Sequence, residues 1–127
     1  MTPEADEPGL PAANSCARSR RCGRYLVVEV FGEVDIATAE LLAEHLLAAT
    51  AGAEPDVLVD LRRLEFLDCS GLRVLCRAEA RAGERGGRLR LVCAGPRVPR
   101  LLRASGLLGR FPPLPGLPRD GSSGERR

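Results

Sequence analysis

The stretch Val57-Leu-Val-Asp-Leu-Arg-Arg-Leu-Glu-Phe-Leu-Asp-Cys-Ser-Gly-Leu-Arg-Val-Leu75 decides the reading of this chain. Its first five residues, Val57 to Leu61, are apolar except for Asp60 and read as a short buried strand. Its far end is helical. From Ser70 to about Gly83, Leu72, Leu75, Cys76, Ala78 and Ala82 recur mostly on one side at helical spacing. Loop 62–70 joins the two, so Ser70 sits at or next to a helix N-terminus, where free amides and the helix dipole favour an anion.

The same punctuation extends outward. Tyr25-Leu-Val-Val-Glu-Val-Phe31 reads as a strand closed by Gly32. Ala37 to about Thr50 carries Leu41, Leu42, His45, Leu46 and Ala49 at helical spacing, with Asp35 or Thr38 to cap its start and Gly52 and Pro55 beyond its end. Downstream, Gly86-Gly87 turns into a strand, Arg88-Leu-Arg-Leu-Val-Cys93, and Gly95-Pro96 opens a third helix near Arg97 to Ala104. A last weak strand is expected over Leu107–Phe111, stopped by the prolines.

Strand–helix–strand–helix–strand implies an α/β fold with parallel, right-handed crossovers. The expected architecture is a mixed, mostly parallel sheet of four to five strands flanked by helices. Loops 32–37 and 62–70 then leave parallel strands on one sheet edge, where α/β proteins place their sites. Asp35, Asp68 and Ser70 can meet there.

The chain has room for one domain. Pro3, Pro8 and Pro11 precede residue 12, while Pro112, Pro113, Pro115 and Pro118 crowd the other end. Residues 1–17 and 112–127 are therefore expected to be disordered tails around a domain at 18–111. With 44% hydrophobic residues the chain can build a core. A net charge of +2 excludes a histone-like binder, and the scarcity of aromatics argues against a base-stacking surface. No run is long and apolar enough to span a membrane, and the acidic, Pro-rich start is unlike a signal peptide. Five irregularly spaced cysteines, with no C-x-x-C pair and one His, argue against a zinc cluster and for free thiols in a reducing cytoplasm.

Three readings compete for Leu67-Asp68-Cys69-Ser70-Gly71-Leu72. Asp68 or Ser70 can simply cap the helix. Ser70 or Cys69 can be a nucleophile, but Ser70 lacks the Gly-x-Ser-x-Gly elbow and the only His lies on the apolar stripe of another helix. Ser70 can instead be an acceptor modified by a partner, since a phosphate there changes local charge by about −1.5 to −2.

Val59 to Leu75 resembles the signature of the STAS domain of bacterial anti-sigma factor antagonists, in which a strand ending in Asp-Leu is followed by a hydrophobic-Asp-Ser-Ser-Gly-Leu motif. Phe31-Gly-Glu-Val-Asp-Ile-Ala-Thr-Ala39 resembles the family's Gly-Glu-Leu-Asp turn, and Arg103-Ala-Ser-Gly-Leu-Leu108 its late Ser-Gly-Leu turn. The likeness spans about residues 25 to 111. It implies a non-enzymatic switch without cofactor or metal, a monomer when free, that contacts neither nucleic acid nor membrane. Its partners are an anti-sigma serine kinase, which brings the ATP, and a separate serine phosphatase. The unphosphorylated form occupies the kinase and frees the sigma factor, and phosphorylation of the Ser before Gly, here Ser70, ends the complex. Asp35 and Asp68 match the acids that help dock the kinase, and Gly71 matches the Gly that permits close approach. Gly32, Thr38 and Cys69 complete the expected partner surface. Cys69 stands where the family often has Ser or Thr. The alternative is a scaffold or ligand-binding STAS module in which Ser70 is only a helix cap.

Two departures stand out. The family has an apolar strand before Tyr25, whereas residues 14–23 are polar and Arg-rich, so that edge strand should be short or unusual. The family's C-terminal helix is replaced by Pro112-Pro-Leu-Pro-Gly116. Elsewhere, Arg73, Arg77, Arg81 and Arg85 form a helix stripe, read either as a solvated face or as a surface for an acidic partner. His45 reads as a packed histidine and Cys76 and Cys93 as small core residues, while Cys69 at a helix start is a candidate for a reactive thiol.

Overall fold

A computed structural model describes residues 10–118. The elements run β1 (Ala17–Cys22), β2 (Tyr25–Val34), α1 (Ala39–Ala49), β3 (Asp56–Leu67), α2 (Cys69–Glu84), β4 (Arg88–Val92) and α3 (Arg97–Ala104). They form one four-stranded sheet in the order β1-β2-β3-β4. β1 and β2 are antiparallel and pair from Cys22↔Tyr25 outward. Gly23, at φ 61, supplies the first position of the two-residue turn, where a left-handed conformation suits the strand twist. β2 pairs parallel with β3, and β3 parallel with β4. The expected mixed, mostly parallel sheet is what forms.

Alternation along the strands sorts the core. Val28 and Val30 of β2, Val57, Val59 and Leu61 of β3, and Leu89 and Leu91 of β4 face the helices. There they bury against Leu42 and Leu46 of α1, Leu72 and Leu75 of α2, and Leu102 of α3. Burying each such side chain is worth about 1.5 to 3 kcal/mol. The opposite face holds a smaller cluster of Tyr25, Val27, Leu58 and Val92.

Several expectations are corrected. The strands over Val57–Leu61 and Tyr25–Phe31 are longer than their apolar runs. β3 continues to Leu67 because β2 runs beside it, with Phe31 opposite Arg63, Glu33 opposite Phe66 and Val34 opposite Leu67. Loop 62–70 thus shrinks to Asp68 alone. Backbone pairing sustains the extension where Arg62, Arg63 and Glu65 are exposed.

The polar segment before Tyr25 forms a six-residue strand. Its alternate residues Ala17 and Ser19 face the helices, while Arg18 reaches Glu29 at 2.6 Å. The disordered tail expected over 1–17 is ordered in its described part, because Asn14 donates to the Leu41 carbonyl and receives the amides of Cys16 and Ala17.

The strand expected over Leu107–Phe111 is a turn, closed by the Phe111 amide on the Leu107 carbonyl, with Phe111 buried. Finally, the tail expected from residue 112 lies on the protein as far as Pro118. Leu114, which keeps an amide proton between Pro113 and Pro115, bonds the Leu91 carbonyl at 2.9 Å and receives the Cys93 amide. Leu114 and Leu117 cover the second sheet face, and the Tyr25 hydroxyl donates to the Pro118 carbonyl. The rest of both expected tails, 1–9 and 119–127, lies outside the described residues.

Candidate functional site

The site grows from the parallel pairing of β2 and β3. Their C-terminal ends finish side by side at Val34 and Leu67, and the Asp68 amide donates to the Val34 carbonyl at 3.1 Å. The chain leaves each end through an aspartate. Asp35 Oδ1 accepts the amides of Ala37 and Thr38 at 3.0 and 3.2 Å, folding the turn that leads into α1. The Thr38 hydroxyl receives the Asp35 amide and points its proton between the Glu33 carbonyl and Asp35 Oδ1. Thr38 precedes α1 but makes no side-chain cap, so Asp35 organises this turn.

Asp68 caps α2. Its Oδ1 accepts the Ser70 amide at 2.8 Å and the Gly71 amide at 3.4 Å, from an extended backbone. Two of the donors that an outside anion would use are therefore already taken by the protein's own carboxylate. Ser70 is the second residue of the helix and is not its cap. Its hydroxyl makes no hydrogen bond among the described residues, and the residue is half-buried. The reading in which Ser70 serves only as a helix cap is thus corrected: a carboxylate on a β-conformation residue accepts amides that Ser70, already inside the helix, cannot reach.

Glycine is required at two points. A Cβ on Gly71 would lie 2.2 Å from Leu67 Cδ1 and 3.0 Å from Val34 Cγ1, so α2 can start this close to β2 and β3 only with hydrogen there. Gly32, at φ 73, lies at the register shift between Gly32 and Glu33, in a left-handed conformation that favours glycine. Cys69 is exposed and next to Ser70.

The structure also brings in residues that sequence reasoning passed over. Ile36 is 84% exposed in the Asp35 turn, and Leu47 and Phe66 are also exposed. With Ser70, Ile36 and Leu47 line a groove of about 590 Å³ between α1 and α2, which Arg73, Arg77 and Arg81 also border. The available signal for Ile36 was a large apolar residue inside a turn, where burial is not expected.

His45 belongs elsewhere. It is buried, its Nε2–H donates to the Ala12 carbonyl at 3.0 Å, and its Nδ1 accepts from the Ser19 hydroxyl at 2.6 Å. Burial pushes its pKa below the ordinary value, against the raising effects of the Ala12 carbonyl and Glu44. Both ring nitrogens are occupied, so His45 is no base for Ser70 or Cys69. Among the described residues no group of three or more His, Cys, Asp or Glu is placed to hold a metal, and no helix is long and apolar enough to cross a membrane.

The family model described as "Mlab, STAS domain" matches residues 18–115. A Mycobacterium tuberculosis protein provisionally named an anti-anti-sigma factor is 32% identical over 111 residues, 86% of this chain and 75% of that protein. The crystal structure of an anti-sigma factor antagonist from Mycobacterium paratuberculosis superimposes with a TM-score of 0.72 at 32% identity, covering 80% of this chain and 86% of that one. The Bacillus cell fate determinant SpoIIAA in its phosphorylated form shares the fold, with a TM-score of 0.64 at 21% identity, over 87% and 99% of the two chains.

Proposed function

The chain belongs to the STAS-domain family and is homologous to anti-sigma factor antagonists, and on that premise we propose that it is such an antagonist, switched at Ser70. Unmodified, it holds an anti-sigma serine kinase and so frees a sigma factor in the cytoplasm. In the switching step Ser70 Oγ bonds to the γ-phosphorus of the kinase's ATP, the β–γ bridging P–O bond breaks, ADP leaves, and the hydroxyl proton passes to a base on the kinase. A separate serine phosphatase hydrolyses the ester and returns inorganic phosphate. This chain supplies acceptor and docking surface, and no catalytic group.

The observation that carries the reading is the division of labour at the start of α2. Asp68 does the capping, which leaves the Ser70 hydroxyl without a hydrogen-bond partner among the described residues. The same geometry supports a local switch. A phosphate of about −1.5 to −2 charge would sit two residues from a carboxylate that already holds the Ser70 and Gly71 amides. The helix dipole offsets only about 0.3 to 1 kcal/mol of that repulsion. A loss of about 2.7 kcal/mol weakens a complex about a hundredfold, so a local electrostatic change suffices without bulk motion.

Binding to the kinase tests the proposal. With ATP present, Ser70→Ala should form a persistent complex, and Ser70→Asp should bind more weakly than the unmodified chain. Equal binding by all three would overturn it.

A further inference from the structure

The groove between α1 and α2 has a charge arrangement that the switch itself does not explain. Both helices start from the same sheet edge, so Glu40 and Glu44 of α1 run beside Arg73 and Arg77 of α2. Each pair is spaced four residues apart and so shares one side of its helix. All four side chains are exposed and border the groove, yet none has an ion-pair partner among the described residues. One wall is anionic, the other cationic, and neither is neutralised by the other. Ala43, Leu47 and Val74 supply apolar surface along it, and Ile36 stands at the Ser70 end.

An occupant that satisfies both walls needs an apolar middle, a cationic flank and an anionic flank, which is the surface of an amphipathic helix lying in a groove. The eleven residues of α1 give about 16 Å of wall, enough for about three turns. Ser70 and Arg73 lie three apart on α2 and are therefore neighbours on its surface. Phosphate is a strong acceptor for arginine, so a phosphorylated Ser70 competes for the guanidinium that an anionic flank would use.

We propose that this groove seats an amphipathic helix of the kinase, with its cationic flank on Glu40 and Glu44 and its anionic flank on Arg73 and Arg77, and that phosphate on Ser70 helps release it by claiming Arg73. The inference rests on the kinase reading above. It adds a docking element and makes Arg73 the residue through which the modification is felt.

The test uses the full chain and the kinase that phosphorylates it, titrated in the presence of Mg·ADP so that binding is read without transfer. Arg73→Glu/Arg77→Glu and Glu40→Lys/Glu44→Lys should each weaken binding by about tenfold or more. Arg85→Glu, exposed at the end of α2 and outside the groove, should change it by less than about twofold. All variants should melt like the parent. The loss of affinity on phosphorylation should shrink in Arg73→Ala. Unchanged binding by both groove variants, with Ser70 still phosphorylated, would overturn the groove and leave the switch standing. Failure of every candidate kinase to phosphorylate the parent chain would overturn the switch reading and the groove with it. Groove variants that alter self-association of the chain and not kinase binding would assign the surface to a second copy and overturn the proposal.

Discussion

Two glycines in one helix should respond to the same substitution with opposite signs. Gly71 and Gly83 both lie in α2, and in a helix interior alanine is favoured over glycine by about 0.8 to 1 kcal/mol. At Gly83 nothing lies within 4 Å of the added Cβ. Gly83→Ala should therefore gain most of the intrinsic amount, about 0.5 to 1 kcal/mol so near the helix end. At Gly71 the new methyl would stand 2.2 Å from Leu67 Cδ1 and 3.0 Å from Val34 Cγ1. Leu67 is only 7% exposed and Val34 fully buried, so neither can swing into solvent. Overpacking of this kind costs about 1 to 3 kcal/mol. After the intrinsic gain, Gly71→Ala should lose as much as about 2 kcal/mol, leaving the two variants about 1 to 3 kcal/mol apart. Urea unfolding followed by circular dichroism reads the difference as a shift in midpoint at constant slope. If Gly71→Ala proved as stable as Gly83→Ala, the close seating of α2 on β2 and β3 would be wrong.

Other consequences are equally direct. Asp68→Ala should cost about 0.5 to 2 kcal/mol through loss of the α2 cap, whereas Asp68→Asn keeps an accepting oxygen and should cost less; chemical denaturation separates them. His45 has a folded pKa below its ordinary 6.5, so its contribution to stability is full above the unfolded value and is lost as pH falls through that value and the lower folded one. Unfolding free energies from pH 8 to pH 5 should decline accordingly, and His45→Gln should flatten that decline. Ending the chain after Phe111 removes the Leu114 pairing and the cover that Leu117 gives to the cluster on the second sheet face. Such a truncation should melt at lower temperature than one ending at Pro118; equal melting points would contradict the packing of this segment.

What the sequence allowed to be read follows from where side-chain burial and local chemistry decide structure. α3 was expected over Arg97 to Ala104 and occupies those residues, since Gly95-Pro96 starts it and Ser105-Gly106 stops it. The start of α2 was legible because an aspartate before an apolar helical stripe is a capping signal, although only the folded structure separates Asp68 as cap from Ser70 as free hydroxyl. β3 was underestimated because its second half is held by backbone pairing to β2, which leaves no periodic trace in Arg62-Arg-Leu-Glu-Phe66. Leu114 was hidden among prolines because its partner, the edge of β4, lies more than twenty residues back in the chain. The two charged walls of the groove were half visible. The arginine stripe showed in α2, but its pairing with Glu40 and Glu44 depends on how two helices lie side by side.

The proposed switch stands or falls on Ser70 as an acceptor. Intact mass of the purified chain, after incubation with ATP and each candidate anti-sigma kinase from its own genome, tests it most directly. A switch at Ser70 should give a single gain of about 80 Da, one phosphoryl group, with one of these kinases and none in Ser70→Ala. No gain with any kinase, or the same gain in Ser70→Ala, would contradict it.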